Sequence, residues 1–155
     1  METHIDWKKL LSHIALPLGT GLLSALVTKS SMGAYQLLNK PPFAPPGILF
    51  PIVWTILFVL MGISSYLASS TPSGKYGGYP LYFAQLAVNF VWPILFFNLK
   101  WYLISFLWLL FLIFLVAALI FFFSKRRLLA GLLQIPYFLW LLYAGYLNFM
   151  ISLLN

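Results

Sequence analysis

The stretch that decides the fold runs from Trp101 to Phe123 and reads WYLISFLWLLFLIFLVAALIFFF. It contains no charged residue, and its only clearly polar side chains are Tyr102 and Ser105. An α-helix needs about 20 consecutive apolar residues to cross the hydrocarbon core of a bilayer. The stretch therefore predicts a transmembrane helix.

Four further apolar segments of spanning length accompany this stretch. Because lipid offers no hydrogen bonds to the backbone, each segment is expected to be helical. The sequence therefore predicts an all-α fold, an integral membrane bundle of five transmembrane helices that forms a single domain over residues 1–155. The predicted spans cover approximately residues 10–27, 48–68, 80–97, 101–123 and 128–154.

Composition excludes the main alternatives to a membrane protein. Hydrophobic residues make up 63% of the chain and charged residues only 7%, whereas soluble domains carry about 25% charged residues. Disorder would require low hydrophobicity and high charge. The chain has no cysteine, which excludes disulfides, thiolate nucleophiles and cysteine-ligated metals.

The charged residues set two further limits. Nine lysines and arginines against two acids give a net charge of +7. Their scatter between apolar segments fits loops at an anionic membrane surface rather than a nucleic-acid interface. Both acids, Glu2 and Asp6, precede the first apolar segment. A proton relay or a two-carboxylate hydrolase inside the bundle is therefore not expected.

The basic residues also predict the orientation in the membrane. Six lie in the N-terminal segment and in the second and fourth loops, and three lie on the opposite side. Since cytoplasmic loops carry the excess of lysine and arginine, the N-terminus is predicted in the cytoplasm, and the first loop and C-terminus outside. The six are Lys8, Lys9, Lys75, Lys125, Arg126 and Arg127, and the three are Lys29, Lys40 and Lys100.

Polar, small and aromatic side chains share one face on four of the predicted helices. In lipid such a face turns toward the bundle. The fourth span has no such face, so it is predicted to be peripheral, lipid-facing and the most tolerant of substitution. The four faces comprise His13, Pro17, Thr20 and Ser24; Trp54, Phe58, Met61 and Ser65; Gln85, Asn89, Trp92 and Phe96; and Trp140, Ala144, Leu147 and Asn148.

These faces combine neutral amides with flat indole rings, a lining that suits a large, flat, mostly apolar ligand. Amides also form hydrogen bonds between membrane helices, which is the stronger interpretation for Asn89 and Asn148 taken alone. Tryptophans also form belts at the membrane interface, but Trp92 and Trp140 lie nearer mid-span. His13 stands alone near the membrane edge, so a hydrogen-bonded interfacial histidine is expected and no metal site is predicted.

Four motifs occur along the chain in a fixed order. They are Tyr35, Leu38, Lys40, Pro41, Pro45 and Pro46 in the first loop; Trp54, Met61 and Gly62; Leu86, Asn89, Trp92, Leu95, Phe96 and Phe97; and Pro136, Tyr137, Trp140, Ala144, Leu147 and Asn148. With these motifs the chain resembles the tryptophan-rich sensory proteins, also called translocator proteins or peripheral-type benzodiazepine receptors. It departs from that family's pattern at Ala34, Phe43 and Ile48, where tryptophan is usual.

The resemblance implies a five-helix bundle, usually a homodimer, with a ligand cavity beneath the first loop, here expected in a bacterial cell membrane. The implied ligands are porphyrins such as protoporphyrin and other haem-pathway tetrapyrroles, then sterols and isoquinoline or benzodiazepine drugs. No obligatory cofactor is implied. The expected ligand-binding residues are Tyr35, Phe43, Pro45, Trp54, Phe58, Asn89, Trp92, Phe96, Tyr137, Trp140, Ala144, Leu147 and Asn148.

Three tasks are open for such a cavity. The first is a receptor or translocator that binds tetrapyrroles. The second is an enzyme that degrades porphyrin in light, with Trp54 and Trp140 as the candidate catalytic residues. The third is a passive transporter of tetrapyrrole or lipid, because the lack of carboxylates in the bundle argues against proton coupling.

Overall fold

The computed structural model describes residues 4–70 and 78–155, and it confirms an all-α bundle. Five segments are long and apolar enough to span a bilayer, as predicted, and the fifth comprises two consecutive helices. Glu2, Lys75 and most of the predicted second loop lie outside the described residues. The helices are α1 (Trp7–Thr28), α2 (Leu49–Ser69), α3 (Tyr79–Pro93), α4 (Tyr102–Arg126), α5 (Leu128–Leu132) and α6 (Ile135–Leu154), with a 3-10 helix at Met32–Leu37 and a π-helical turn at Ile94–Asn98.

Local sequence signals explain where several helices begin and end. The Asp6 side chain caps α1 by accepting a hydrogen bond from the backbone N of Lys9 at 3.1 Å, the usual role of an N-terminal Asp. The α-helical part of α3 ends at Pro93, and the π-helical turn follows it. Lys100, with φ at 55°, then reverses the chain into α4. A turn at residues 133–134, just before Pro136, separates α5 from α6.

The spans form a closed ring. α1 packs on α2 and on α3, α3 packs on α4, α4 packs on α5 and α6, and α5 packs back on α2. α1 and α2 approach each other closely at Gly62, where an added Cβ would overlap the Cα of Ile14 and the carbonyl oxygen of His13. A glycine at this position therefore lets the two backbones pack directly, as small residues do between membrane helices.

The prediction that the fourth span is peripheral is wrong. α4 packs against α3, α5 and α6 and also contacts α2, and it buries a stripe of side chains along its length: Ser105, Leu109, Leu112, Leu115, Val116, Leu119 and Phe123. In lipid an inward face needs good packing rather than polarity, so the lack of polar residues gave no information about which side faces the bundle. α1 is more exposed than α4, and its buried residues are Pro17, Ser24 and Thr28.

The predicted inward faces of the second, third and fifth spans are largely confirmed. Their members are buried, apart from Trp54 and Trp140, which are half-buried. Since these three faces and the inner stripe of α4 all turn inward, the ring of helices brings their amides and indole rings together. The first loop lies at the end of the bundle where α6 ends.

Candidate ligand-binding site

An aromatic cluster joins the first loop, the start of α2 and the first half of α6. The edge of the Tyr35 ring packs on Phe50, with 5.4 Å between ring centroids. Phe50 in turn packs on Trp140 at 6.0 Å. We call these three residues the loop cluster. Tyr35 is buried, whereas Phe50 and Trp140 are half-buried, so the cluster lies partly open to its surroundings.

A second set of rings continues the loop cluster along α2. Trp54 packs on Tyr137 of α6 at 5.9 Å and on Phe58 at 5.4 Å. Phe50, Trp54 and Phe58 are spaced four residues apart, which places them on one face of the helix. This spacing was the signal that could have predicted Phe50 as a site residue. Aromatic pairs thus bridge α2 and α6.

Two polar atoms of the loop cluster are buried and unpaired. The Tyr35 hydroxyl and the Trp140 Nε1 have no hydrogen-bond partner among the described residues. A buried polar group without a partner costs about 1–3 kcal/mol, so each such group requires an explanation, such as a ligand or an ordered water molecule that supplies the partner. Both groups can donate a hydrogen bond.

The protonation state and the charges at the loop cluster favour a ligand that accepts hydrogen bonds. Burial of the hydroxyl raises the pKa of Tyr35, with a smaller contribution from Tyr143. The hydroxyl therefore stays protonated at neutral pH and can act as a donor. The Lys40 Nζ lies 4.8 Å from the centroid of the Tyr35 ring, which brings a positive charge to the same place.

Deeper in the bundle, the predicted amides form hydrogen bonds between helices. Asn89 of α3 donates through Nδ2 to the Tyr137 hydroxyl at 2.7 Å. The Tyr137 hydroxyl donates to Oε1 of Gln85 at 2.9 Å. All three residues are buried. This chain of contacts connects α3 with α6 and supports the structural interpretation of Asn89.

Asn148 forms a similar junction of three helices. Its Oδ1 accepts from Trp92 Nε1 at 2.9 Å and lies 3.1 Å from the Ser105 hydroxyl. Its Nδ2 donates to the backbone oxygen of Tyr102 at 2.8 Å. We call this junction, together with the chain from Asn89 to Gln85, the amide network. Within it the Trp92 N–H is already engaged, and the Trp92 ring stacks on Phe96 at 5.4 Å.

The first loop is held along α6 by hydrogen bonds to its backbone. Tyr143 donates to the carbonyl oxygen of Phe43 at 2.6 Å. Asn39 and Asn155 exchange two hydrogen bonds, both of 3.0 Å. The Phe43 side chain is 87% exposed and its φ is 67°, so the ring of this expected ligand-binding residue packs little against the rest of the chain. The loop uses the carbonyl of Phe43 as its anchor, and the ring points outward; Pro45 is half-buried.

Apart from Phe43 and Pro45 of the first loop, the predicted site residues divide into two groups. Tyr35 and Trp140 belong to the loop cluster, and Trp54 and Phe58 continue it. The remaining inward residues serve the amide network or the packing around it: Asn89, Trp92, Phe96, Tyr137, Ala144, Leu147 and Asn148. Sequence reasoning missed Phe50 and the loop anchor Tyr143.

The sequence profile of the TspO/MBR family matches residues 13–154. The chain belongs to this family. It is 35% identical to the tryptophan-rich protein TspO of Archaeoglobus fulgidus, over 95% of this chain and 97% of that protein. It is 32% identical to a tryptophan-rich sensory protein of Cereibacter sphaeroides, over 98% and 94%. It is 33% identical to the translocator protein of Bos taurus, over 92% of this chain and 88% of that protein.

Membership of the TspO/MBR family agrees with the five apolar spans, and together they show an integral membrane protein. The matched range includes the whole loop cluster and the whole amide network. Both groups of residues therefore belong to the part of the chain that the family shares.

Proposed function

We propose that this TspO/MBR protein is a membrane receptor or translocator that binds porphyrins at the loop cluster. The observation that carries the proposal is the pair of buried, unpaired donors, the Tyr35 hydroxyl and Trp140 Nε1. A ligand that offers acceptor atoms beside a flat apolar surface would remove the cost of both.

The chemistry of a porphyrin matches this arrangement. Its flat ring can stack on the half-buried indole of Trp140 and on Phe50, since aromatic contacts favour stacked and edge-on geometries. Its carboxylates are acceptors only. The Tyr35 hydroxyl, Trp140 Nε1 and the Lys40 ammonium are all donors, so charge and hydrogen bonding are complementary.

Room for the ring would come from the side chains that bridge α2 and α6. Phe50 and Trp54 hold these helices apart through their contacts with Trp140 and Tyr137. A rotamer change of Phe50 or Trp140 would replace a contact within the protein by a contact with the ligand. The hydrogen bonds between the first loop and α6 can persist during such a change, because they use the loop backbone.

The proposal includes an orientation. Lys8, Lys9, Lys125 and Arg127 belong to the same end of the bundle, by the order of the spans. That end is proposed to face the cytoplasm of a bacterial cell, following the excess of basic residues. The first loop, the loop cluster and the end of α6 then face outward, and the functional form is proposed to be a homodimer.

The test is a titration of the full chain in lipid nanodiscs with protoporphyrin, followed by the porphyrin absorbance. Trp140→Phe should weaken binding about tenfold, because it removes the free N–H and part of the stacking surface, worth about 1–3 kcal/mol in related base–aromatic contacts. Trp108→Phe is the matched control, since Trp108 Nε1 already donates to the Val88 oxygen at 2.8 Å. Its affinity should equal that of the wild type. Wild-type affinity in Trp140→Phe would overturn the proposal.

Light-dependent degradation of porphyrin is a second candidate for the same site. The observation that favours it is the contact between Trp140 and Tyr143, two oxidisable rings with centroids 5.5 Å apart. Illumination of the porphyrin complex should then give a new absorbing product in the wild type and much less in Trp54→Phe and Trp140→Phe. Unchanged porphyrin spectra after illumination would exclude degradation and leave porphyrin binding as the proposed function.

A further inference from the structure

A groove separate from the loop cluster runs between α1 and α3. Two adjoining cavities form it, one of about 330 Å³ and one of about 200 Å³, and both are lined by Leu16 and Phe83. The larger is apolar along most of its length, with Leu23, Ala87 and Phe90 among its walls. The smaller adds Ser12, His13, Tyr79 and Tyr82 to the shared apolar wall of Leu16 and Phe83. The groove is therefore more polar at this end than at the other.

The polar end holds a buried donor, the Tyr82 hydroxyl. Tyr82 is 1% exposed, and in the described ranges its hydroxyl makes no hydrogen bond of good geometry, although the Ser65 side chain is close enough to interact with it. The neighbouring Ser65 hydroxyl lies 2.6 Å from His13 Nδ1 and 3.2 Å from the Gly62 oxygen, to which it donates. The Tyr79 hydroxyl donates to the Ser65 oxygen at 2.7 Å. Ser65 gives its own hydrogen to Gly62 and is a neutral acceptor for Tyr82, so a charged acceptor in the cavity would be the stronger partner for the Tyr82 hydroxyl.

The surroundings of this end favour a negative charge. Among the described residues, no side chain caps the start of α3 after Gly78, and the positive end of a helix dipole favours a nearby anion. Lys9 lies one helical turn before His13, and the Arg126 guanidinium is 5.2 Å from the centre of the Tyr79 ring. The nearby carboxylate of Asp6 caps α1 through the Lys9 amide.

We propose that this groove binds a single long-chain carboxylic acid taken from the bilayer. The carboxylate accepts from the Tyr82 hydroxyl beside His13, and the chain lies along the apolar part toward Leu23. The distance from His13 to Leu23 along α1 is about 15 Å, at 1.5 Å per residue, which suits an extended acyl chain. A hydrogen bond of 3.3 Å from the Ser24 hydroxyl to the Phe90 oxygen joins α1 and α3 at the far end.

The experiment uses the full chain in nanodiscs and a palmitic acid that carries a diazirine in its chain, with the methyl ester of the same probe as the matched ligand. After photolysis, mass spectrometry maps the labelled peptides. The acid should label residues 16–23 and 83–91 saturably, and unlabelled palmitate should compete. The ester should label them roughly tenfold less, because it lacks the charge that strengthens a hydrogen bond from the tyrosine.

Three variants sharpen the result. Tyr82→Phe keeps the ring and removes the donor, so labelling by the acid should fall about tenfold toward that of the ester. Ala87→Trp fills the apolar part and should abolish saturable labelling. Ala117→Trp, at an exposed position of α4, is the control and should change nothing. Protoporphyrin affinity should stay at the wild-type value in all three, which separates this groove from the loop cluster.

Two results would overturn the proposal. One is equal labelling by acid and ester, spread over α4 as well as α1 and α3, which is the pattern of lipids that merely surround the bundle. The other is protection of residues 16–23 and 83–91 from both probes, with crosslinks between copies at Leu23→Cys, which would show that a second copy of the chain covers this face.

Discussion

The loop cluster and the amide network use the same residue types in opposite ways. In the amide network, Trp92 donates to Asn148, and the Tyr137 hydroxyl both accepts and donates. In the loop cluster, Trp140 and Tyr35 have buried polar groups that contact no partner in the described part of the chain. Both regions are aromatic and contain buried polar atoms. Residue type therefore does not separate the structural region from the proposed binding region, whereas hydrogen-bond pairing does.

The difference has an energetic consequence. A paired buried group stabilises the fold, and its removal leaves the partner unsatisfied. An unpaired buried group destabilises the fold until something binds to it. Substitutions in the amide network should therefore reduce stability, and those in the loop cluster should reduce affinity. Each prediction below tests one side of this contrast.

The largest effect is expected at Asn148. Asn148→Leu keeps the size of the side chain but leaves Trp92 Nε1 without its acceptor and removes one of the two side-chain donors to the Tyr102 oxygen. The loss should be about 2–4 kcal/mol of unfolding free energy, since a buried group left unpaired costs about 1–3 kcal/mol and a lost hydrogen bond about 1 kcal/mol. Thermal or denaturant unfolding in detergent measures it. Asn98→Leu is the control, because its hydrogen bond to the Val27 oxygen is exposed; equal losses in the two variants would contradict the assignment.

A smaller effect is expected from packing alone in α4. Leu112 is 1% exposed and Leu110 is 45% exposed on the same helix. Leu112→Ala should cost about 2 kcal/mol, the lower end for buried leucines, because it opens a cavity. Leu110→Ala faces lipid and should cost less than about 0.5 kcal/mol. Neither should change protoporphyrin affinity, so a binding defect in Leu112→Ala would extend the site to α4.

The sequence predicted where the membrane spans begin and end to within a few residues. It did not predict which side of α4 faces the bundle. Apolar length alone placed the ends of α2, α3 and α4 within a few residues of their observed positions. Polar residues then marked the inward faces of α2, α3 and α6. α4 has hardly any such marker, and its buried and lipid-facing leucines are chemically identical. Only the packing of the neighbouring helices distinguishes Leu112 from Leu110.

The sequence predicted which residue types make up the candidate site. It did not predict how they divide between the loop cluster and the amide network. The sequence identified Trp92 and Trp140 as equivalent indoles on inward faces. Which indole N–H finds an acceptor depends on the distance between α3 and α6, a tertiary property that spacing along one helix does not contain. The outward turn of Phe43 has a similar origin, since Tyr143 binds the backbone carbonyl of Phe43.

The most direct test compares two Tyr→Phe variants, Tyr35→Phe and Tyr137→Phe, by unfolding free energy without ligand and by protoporphyrin affinity. Tyr35→Phe should leave stability unchanged or slightly raised and weaken binding about tenfold, because it removes an unpaired donor. Tyr137→Phe should cost about 1–3 kcal/mol of stability by leaving Asn89 and Gln85 unpaired, with affinity within about twofold of the wild type. A stability loss in Tyr35→Phe with unchanged affinity would show that the loop cluster is structural and contradict a binding site there.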